Sequence, residues 1–263
     1  MTKPAVLITG GATRIGAEIA RGFAAAGWHV VIHYNSSATP AERLAAQLPS
    51  AQIMQCDLND EGAGFAMIRD LAGTLSDWRC LINSASVFDY DSATKINFAT
   101  NRVAMQVNAL APARMTQSFF AHAKSAGQRC VIQITDMKLA NPNPDFFSYT
   151  MSKHALSATI GMLAKSDLGP AGRVYGIAPG AILASHDQSE DETEISHRLN
   201  LLGRKTGADE IVSAALYLAS GQLRSGQTLY IDSGQHLLDQ DRDVIWLARE
   251  EARLRPAPQK ETN

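Results

Sequence analysis

Two short stretches carry residues whose types and spacing suit chemistry. Leu7-Ile8-Thr9-Gly10-Gly11-Ala12-Thr13-Arg14-Ile15-Gly16 runs from an apolar strand through a glycine turn into a helix. Glycines at such a turn let a phosphate approach the backbone, and the helix that follows offers unpaired N–H groups and a positive dipole end. Gly10, Gly11, Ile15 and Gly16 stand where that use needs them. The second stretch, Tyr149-Thr150-Met151-Ser152-Lys153, opens a helical run, and its Tyr and Lys lie on one face. A nearby ammonium favours the phenolate and lowers the tyrosine pKa, which makes a general acid for work near neutral pH. Each stretch recurs by chance in unrelated chains, so each gains weight only from its surroundings.

The second strand sharpens the first stretch. A site for NAD carries Asp or Glu there to hold the ribose hydroxyls. Here the strand ends in His33-Tyr34-Asn35-Ser36-Ser37, and no acid appears before Glu42. A carboxylate would repel a 2′-phosphate, whereas hydroxyls, an amide and a cation would bind it. Arg14, at a loop position where glycine is expected, is read as that cation. The two departures together predict a preference for NADPH.

These residues need a scaffold, and the chain supplies the pattern of one. Strand-like runs at 5–9, 29–34, 51–56, 80–83, 130–135, 174–178 and 228–232 alternate with helix-like runs at 15–26, 40–48, 60–72, about 100–122 and 148–168. Such alternation predicts an α/β fold, a single doubly wound Rossmann-like domain over residues 1–240 with a parallel sheet between helices. Residues 140–147 read as a loop, and the polar, acidic run 181–200 as a mobile lid. Residues 241–263 form a separate tail, with an amphipathic helix expected over Asp243-Val244-Ile245-Trp246-Leu247-Ala248-Arg249 and onward, and fraying expected at the end. This tail either reaches over a neighbouring subunit's site or trails away.

The composition excludes several classes. The 263 residues carry a formal net charge of -2, without a long basic or acidic run, so neither nucleic acid nor an anionic membrane is an expected partner. No apolar run reaches the roughly 20 residues of a membrane span. The chain enters a strand almost at once, which carries the expectation of a cytoplasmic protein. Cys56, Cys80 and Cys130 are spaced for neither a disulfide framework nor a metal site, and are read as buried, reduced thiols.

In order along the chain, "TGGATRIG", "NSAS" (83–86), "VNALAP" (107–112), "YTMSK" and "IAPG" (177–180) resemble the short-chain dehydrogenase/reductase family over residues 4–238. The resemblance implies a seven-stranded sheet, a homotetramer built through the helices near 100–122 and 148–168, and hydride transfer from a nicotinamide. It makes Tyr149 the proton donor, Lys153 the ligand of the nicotinamide ribose, and Asn108 the holder of a relay water. Asp57 and Leu58 would contact the adenine. The backbone at Asn83, Ser84 and Ala85 would pass under the adenosine ribose, and Pro179 and Gly180 would flank the nicotinamide.

One family position departs. Where a serine polarises a substrate carbonyl, thirteen residues before the tyrosine, this chain has Asp136. A carboxylate would repel charge developing on a ketone oxygen. A carboxylic acid can hydrogen-bond or protonate a ring nitrogen, as reduction of a C=N bond requires. That substitution, with "HYNSS" and "NSASVF", resembles the pteridine reductase branch, and within it the bacterial dihydromonapterin reductases, also called alternative dihydrofolate reductases. Carried over, Phe88 would stack on a pterin opposite the nicotinamide, and Ser86 would hydrogen-bond the pterin or a cofactor phosphate. The implied activity is NADPH-dependent reduction of a dihydropterin, with dihydrofolate slower. The rivals are a ketone-reducing relative, such as a 3-oxoacyl thioester reductase, and an NADPH-binding regulator without turnover.

Overall fold

The computed structural model describes residues 2–184 and 188–254. Seven strands form one sheet: β1 (Ala5–Thr9), β2 (His29–Tyr34), β3 (Ala51–Gln55), β4 (Trp78–Asn83), β5 (Arg129–Ile134), β6 (Gly172–Pro179) and β7 (Thr228–Ile231). Their order is β3-β2-β1-β4-β5-β6-β7. Every neighbouring pair is parallel. The order reverses between β1 and β4, the point at which open α/β sheets bind ligands beyond their carboxyl ends. The fold is thus the single Rossmann-like domain that the alternation predicts.

The strands alternate their side chains between two apolar layers, as a period of two dictates. Val6 and Ile8 join Phe23, Cys80, Ile132 and Ile177 on one face. Ala5 and Leu7 join Trp78, Leu81, Phe119 and Val131 on the other. Each such fully buried large side chain contributes about 1.5–3 kcal/mol. All three cysteines are buried and free, as expected.

Helices cover both faces: α1 (Arg14–Ala25), α2 (Ala38–Gln47), α3 (Ala63–Thr74), α4 (Phe98–Met105), α5 (Ala111–His122), α6 (Phe147–Ala164), α7 (Glu190–Arg198), α8 (Ala208–Ala219) and α9 (Val244–Leu254). A wide turn of π-helix, Gln106–Leu110, joins α4 to α5, so the expected helix over 100–122 is continuous but locally overwide. Among the described residues no helix is long and apolar enough to cross a membrane.

Two segments differ from the sequence expectation. The polar run 181–200 holds α7, opened by a reciprocal capping box between Ser189 and Glu192. Its acidic residues Glu190, Asp191 and Glu192 fill the first turn, where the helix dipole favours negative charge. Residues 185–187 of that run lie outside the described residues. The tail is not separate from the body: Asp243, Val244, Ile245 and Ala248 are buried, and α9 packs on α7. The frayed end expected beyond 254 lies outside the described residues.

Candidate active site

The β1–α1 turn is built so that backbone meets backbone. Gly10 has φ +63°, and a Cβ on it would stand 3.0 Å from Ala85 Cα. A Cβ on Gly16 would stand 2.2 Å from the Gly10 carbonyl oxygen, so that position excludes any side chain. Gly10 N–H donates to His33 Nδ1 at 3.1 Å, and His33 Nε2 lies 3.0 Å from the Cys56 carbonyl oxygen. Only a neutral ring with its hydrogen on Nε2 satisfies both bonds. Burial supports this state by lowering the His33 pKa to about 4. His33 therefore holds the glycine turn in place. Thr9 Oγ1 accepts from Ser84 N and Ala85 N, each at 3.0 Å, and fixes the neighbouring β4 loop.

Two cavities open at this turn and share Gly10, Ala85 and Ser86. The larger, about 590 Å³, is lined by Arg14, Ile15, Gly16, Ser84, Phe88, Asp136, Tyr149, Lys153, Pro179 and Gly180 among others. The smaller, about 430 Å³, is lined by His33, Asn35, Asp57 and Leu58 among others. Together they form one cleft across the carboxyl ends of the central strands.

Some expected residues stand elsewhere. Tyr34 packs against the apolar core. Asn83 is buried behind the cleft, donating to Gln133 Oε1 at 3.0 Å. Ser36 and Ser37 flank the cleft without lining either cavity. Arg14 is the main correction. It lies on the larger cavity, and its guanidinium donates to Ala184 O at 2.8 Å and Leu183 O at 3.4 Å. In this structure the carbonyls after β6 hold the guanidinium, where the expectation placed it on the phosphate of the Asn35–Ser37 segment.

Tyr149 stands in the first turn of α6. The preceding Phe146 has φ +51° and makes no side-chain cap. Asp91 takes over that duty, accepting from Ser148 N at 2.8 Å and Ser148 Oγ at 2.5 Å. With the helix start anchored, the Tyr149 hydroxyl donates to Asp136 Oδ2 at 2.5 Å. Asp136 Oδ1 accepts from Lys138 N at 2.8 Å. Burial pushes the Asp136 carboxyl above the usual carboxylate range, against the pull of Tyr149, Lys138 and Lys153. Burial and the Asp136 charge raise the Tyr149 phenol well above its ordinary value.

Lys153 is not among the groups that shift the Tyr149 phenol in this structure. Lys153 Nζ donates to Ile134 O at 2.8 Å and sits 5.7 Å from the Tyr149 ring centroid. Burial lowers its own pKa to about 8. The Asn108 side chain is likewise engaged: Nδ2 donates to Val87 O and Ser152 Oγ, both at 3.0 Å, and Oδ1 accepts from Val87 N at 2.9 Å. With both amide hydrogens used, it ties the β4 loop to α6.

Phe88 stacks on Phe146 with ring centroids 4.0 Å apart, and meets Tyr149 edge-on at 4.6 Å. The residues on the larger cavity that escaped sequence reasoning include Lys138, His197, Asp243 and Ile245. Lys138 Nζ donates to Asp145 O at 2.6 Å and Asp243 Oδ2 at 3.1 Å. His197 is buried, with no partner at Nε2 among the described residues. A lone histidine on a polar helix gave no signal of this placement. The expected amphipathic helix was the one clue to Ile245.

A family model described as Enoyl-(Acyl carrier protein) reductase matches residues 10–236. The alternative dihydrofolate reductase FolM from Brucella canis, solved with NADP, is 30% identical with a TM-score of 0.84. That match covers 91% of this chain and 96% of that one. Pteridine reductase 1 of Leishmania tarentolae is 26% identical, over 90% of this chain and 97% of its own length. The 7alpha-hydroxysteroid dehydrogenase of Escherichia coli is 30% identical, over 87% of this chain and 92% of its own. The chain belongs to the short-chain dehydrogenase/reductase family of oxidoreductases.

Proposed function

We propose that this protein is a cytoplasmic, NADPH-dependent pteridine reductase that takes a dihydropterin, such as dihydromonapterin or dihydrobiopterin, to its tetrahydro form. The observation that carries this reading is the Asp136–Tyr149 pair: the buried phenol donates at 2.5 Å to a carboxyl group that loss of solvent pushes toward its protonated form. As a carboxylate Asp136 would repel charge growing on a ketone oxygen, and as an acid it can hydrogen-bond a ring nitrogen while Tyr149 supplies the proton.

The cleft fits the cofactor. A side chain at Gly10 would press on Ala85 and one at Gly16 on the Gly10 carbonyl, so only glycine keeps the turn tight enough for a phosphate to approach its backbone. Lys153, Pro179 and Gly180 line the larger cavity for the nicotinamide end, and Asp57 and Leu58 the smaller for the adenine end. Asn35, Ser36 and Ser37 would take the 2′-phosphate. Ser37 starts α2 with no side-chain cap, so its hydroxyl and the positive helix end serve in place of Arg14. NADPH, when bound, supplies the hydride. Phe88 flanks the flat substrate, Ser86 hydrogen-bonds it, Asp136 orients its ring, and the proton on nitrogen comes from Tyr149 or from a water beside it.

A homotetramer through α4–α5 and α6 belongs to the same reading, supported by the exposed Phe98, Leu110, Met151 and Met162. Light scattering that gives a monomer mass would contradict it.

The test of the activity is NADPH oxidation with 7,8-dihydromonapterin, 7,8-dihydrobiopterin, 7,8-dihydrofolate and a 3-oxoacyl thioester. Turnover of the dihydropterins, slower turnover of dihydrofolate and none of the thioester is expected. Turnover of the thioester alone would overturn the reading in favour of a ketone reductase. Bound NADPH with no turnover at all would overturn it in favour of a regulator.

A further inference from the structure

The larger cavity has a wall that the family match does not reach. The match ends at residue 236, and Asp243, Val244 and Ile245 line the cavity from beyond it. Ile245 is buried in a small apolar cluster with Phe146 and Tyr149, against which Phe88 packs. The wall therefore touches the same aromatic rings that form the floor of the site.

Its anchoring is stronger than a surface helix needs. Asp243 N donates to Asp145 Oδ2 at 2.9 Å, and Asp243 caps the start of α9 by accepting from Ile245 N at 3.1 Å. Arg242 grips both Asp145 oxygens, at 2.8 and 3.2 Å. Lys138, buried beneath, bonds Asp243. A charge-assisted, two-toothed junction of this kind fixes geometry as well as adding energy. On its far side α9 reaches α7 through Arg249 and Glu192, 3.7 Å apart.

We infer that residues 243–245 form a specificity-determining wall of the chain's own substrate cavity, admitting a flat heteroaromatic ring with a compact substituent and turning away the same ring with a long aryl extension. The inference rests on the pterin reading above. Val244 and Ile245 offer only aliphatic surface there, so they select by size. The wall comes from the same chain as Tyr149 and Asp136.

The test compares wild type with Ile245→Ala and Ile245→Phe. Two readouts are taken: kcat/KM for 7,8-dihydrofolate relative to 7,8-dihydromonapterin, and calorimetric Kd for folic acid relative to 6-hydroxymethylpterin with NADP bound. The smaller side chain should raise the relative acceptance of the folate by about tenfold, and the larger should lower it. Ratios within twofold of wild type in both variants, with dihydromonapterin still reduced, would overturn the wall and leave the pterin reading standing. A wild type that neither binds nor reduces either pterin would overturn both.

Discussion

The Tyr149 hydroxyl donates to Asp136 Oδ2 at 2.5 Å across the gap between the first turn of α6 and the end of β5. Tyr149 is buried and Asp136 half-buried, and loss of solvent favours the protonated form of each. The lysine four residues on serves the Ile134 carbonyl instead of the phenol. The pair is an acid, and the substrate most in need of it is one whose product carries a new N–H.

That acid should show in the pH dependence. Under the pterin reading the protonated form of Asp136 is the active one, so the rate should fall as pH rises through its elevated pKa. The charged and titratable groups facing it are Tyr149, Lys153 and Asp243, and of these Asp243 helps to hold it up. Asp243→Asn should therefore move the alkaline limb of the kcat profile to lower pH, while Asp243→Glu should leave it nearer wild type. The Asn variant should also lower the Tm, because Lys138 loses a buried partner, a loss that costs about 3–5 kcal/mol in such sites. An alkaline limb that does not move would contradict the electrostatic role of the tail.

The position of Arg14 makes a different prediction. Its guanidinium bonds Leu183 and Ala184 on the larger cavity. Arg14→Ala should preserve the ratio of kcat/KM for NADPH over NADH within about threefold, while lowering turnover through the loosened segment after β6. Ser37→Glu should reverse the cofactor preference, since a carboxylate there repels the 2′-phosphate. Loss of NADPH preference in Arg14→Ala alone would restore the arginine as the phosphate's cation.

Much of this could be read from the chain, for physical reasons. The strands were legible because "AVLIT" and "CVIQIT" are continuous apolar runs closed by turn residues, as doubly covered parallel strands must be. Asp136 was legible because it breaks a family spacing at one known position. The partner of Lys153 was not, because helical spacing brings two residues near each other without saying which acceptor wins. The docking of α9 was not, because an amphipathic helix reads alike whether it covers its own chain or another. Asp243 and Lys138 meet across 105 residues of sequence, a contact no local pattern encodes. The bonds of Arg14 to the carbonyls after β6 were not legible either, because a cation near a phosphate loop has more than one direction to point.

His33 should govern part of the acid stability. Its folded pKa of about 4 lies below the ordinary 6.5, so between those values the unfolded chain binds the extra proton. Stability is then complete above about pH 6.5 and falls as pH drops toward 4, by about 3 kcal/mol at the limit. Urea midpoints at pH 7 and pH 5 should differ by more in wild type than in His33→Gln, which does not titrate. Equal differences would place the acid sensitivity elsewhere.

The most direct test of the account is Asp136→Ser, which restores the residue of the ketone reductases. NADPH oxidation is followed with 7,8-dihydromonapterin and with a 3-oxoacyl thioester, alongside calorimetric NADPH binding. The account predicts a loss of about 100-fold or more in dihydropterin turnover with NADPH affinity unchanged within twofold. Undiminished dihydropterin turnover in the variant would contradict the claim that the Asp136–Tyr149 pair carries the chemistry.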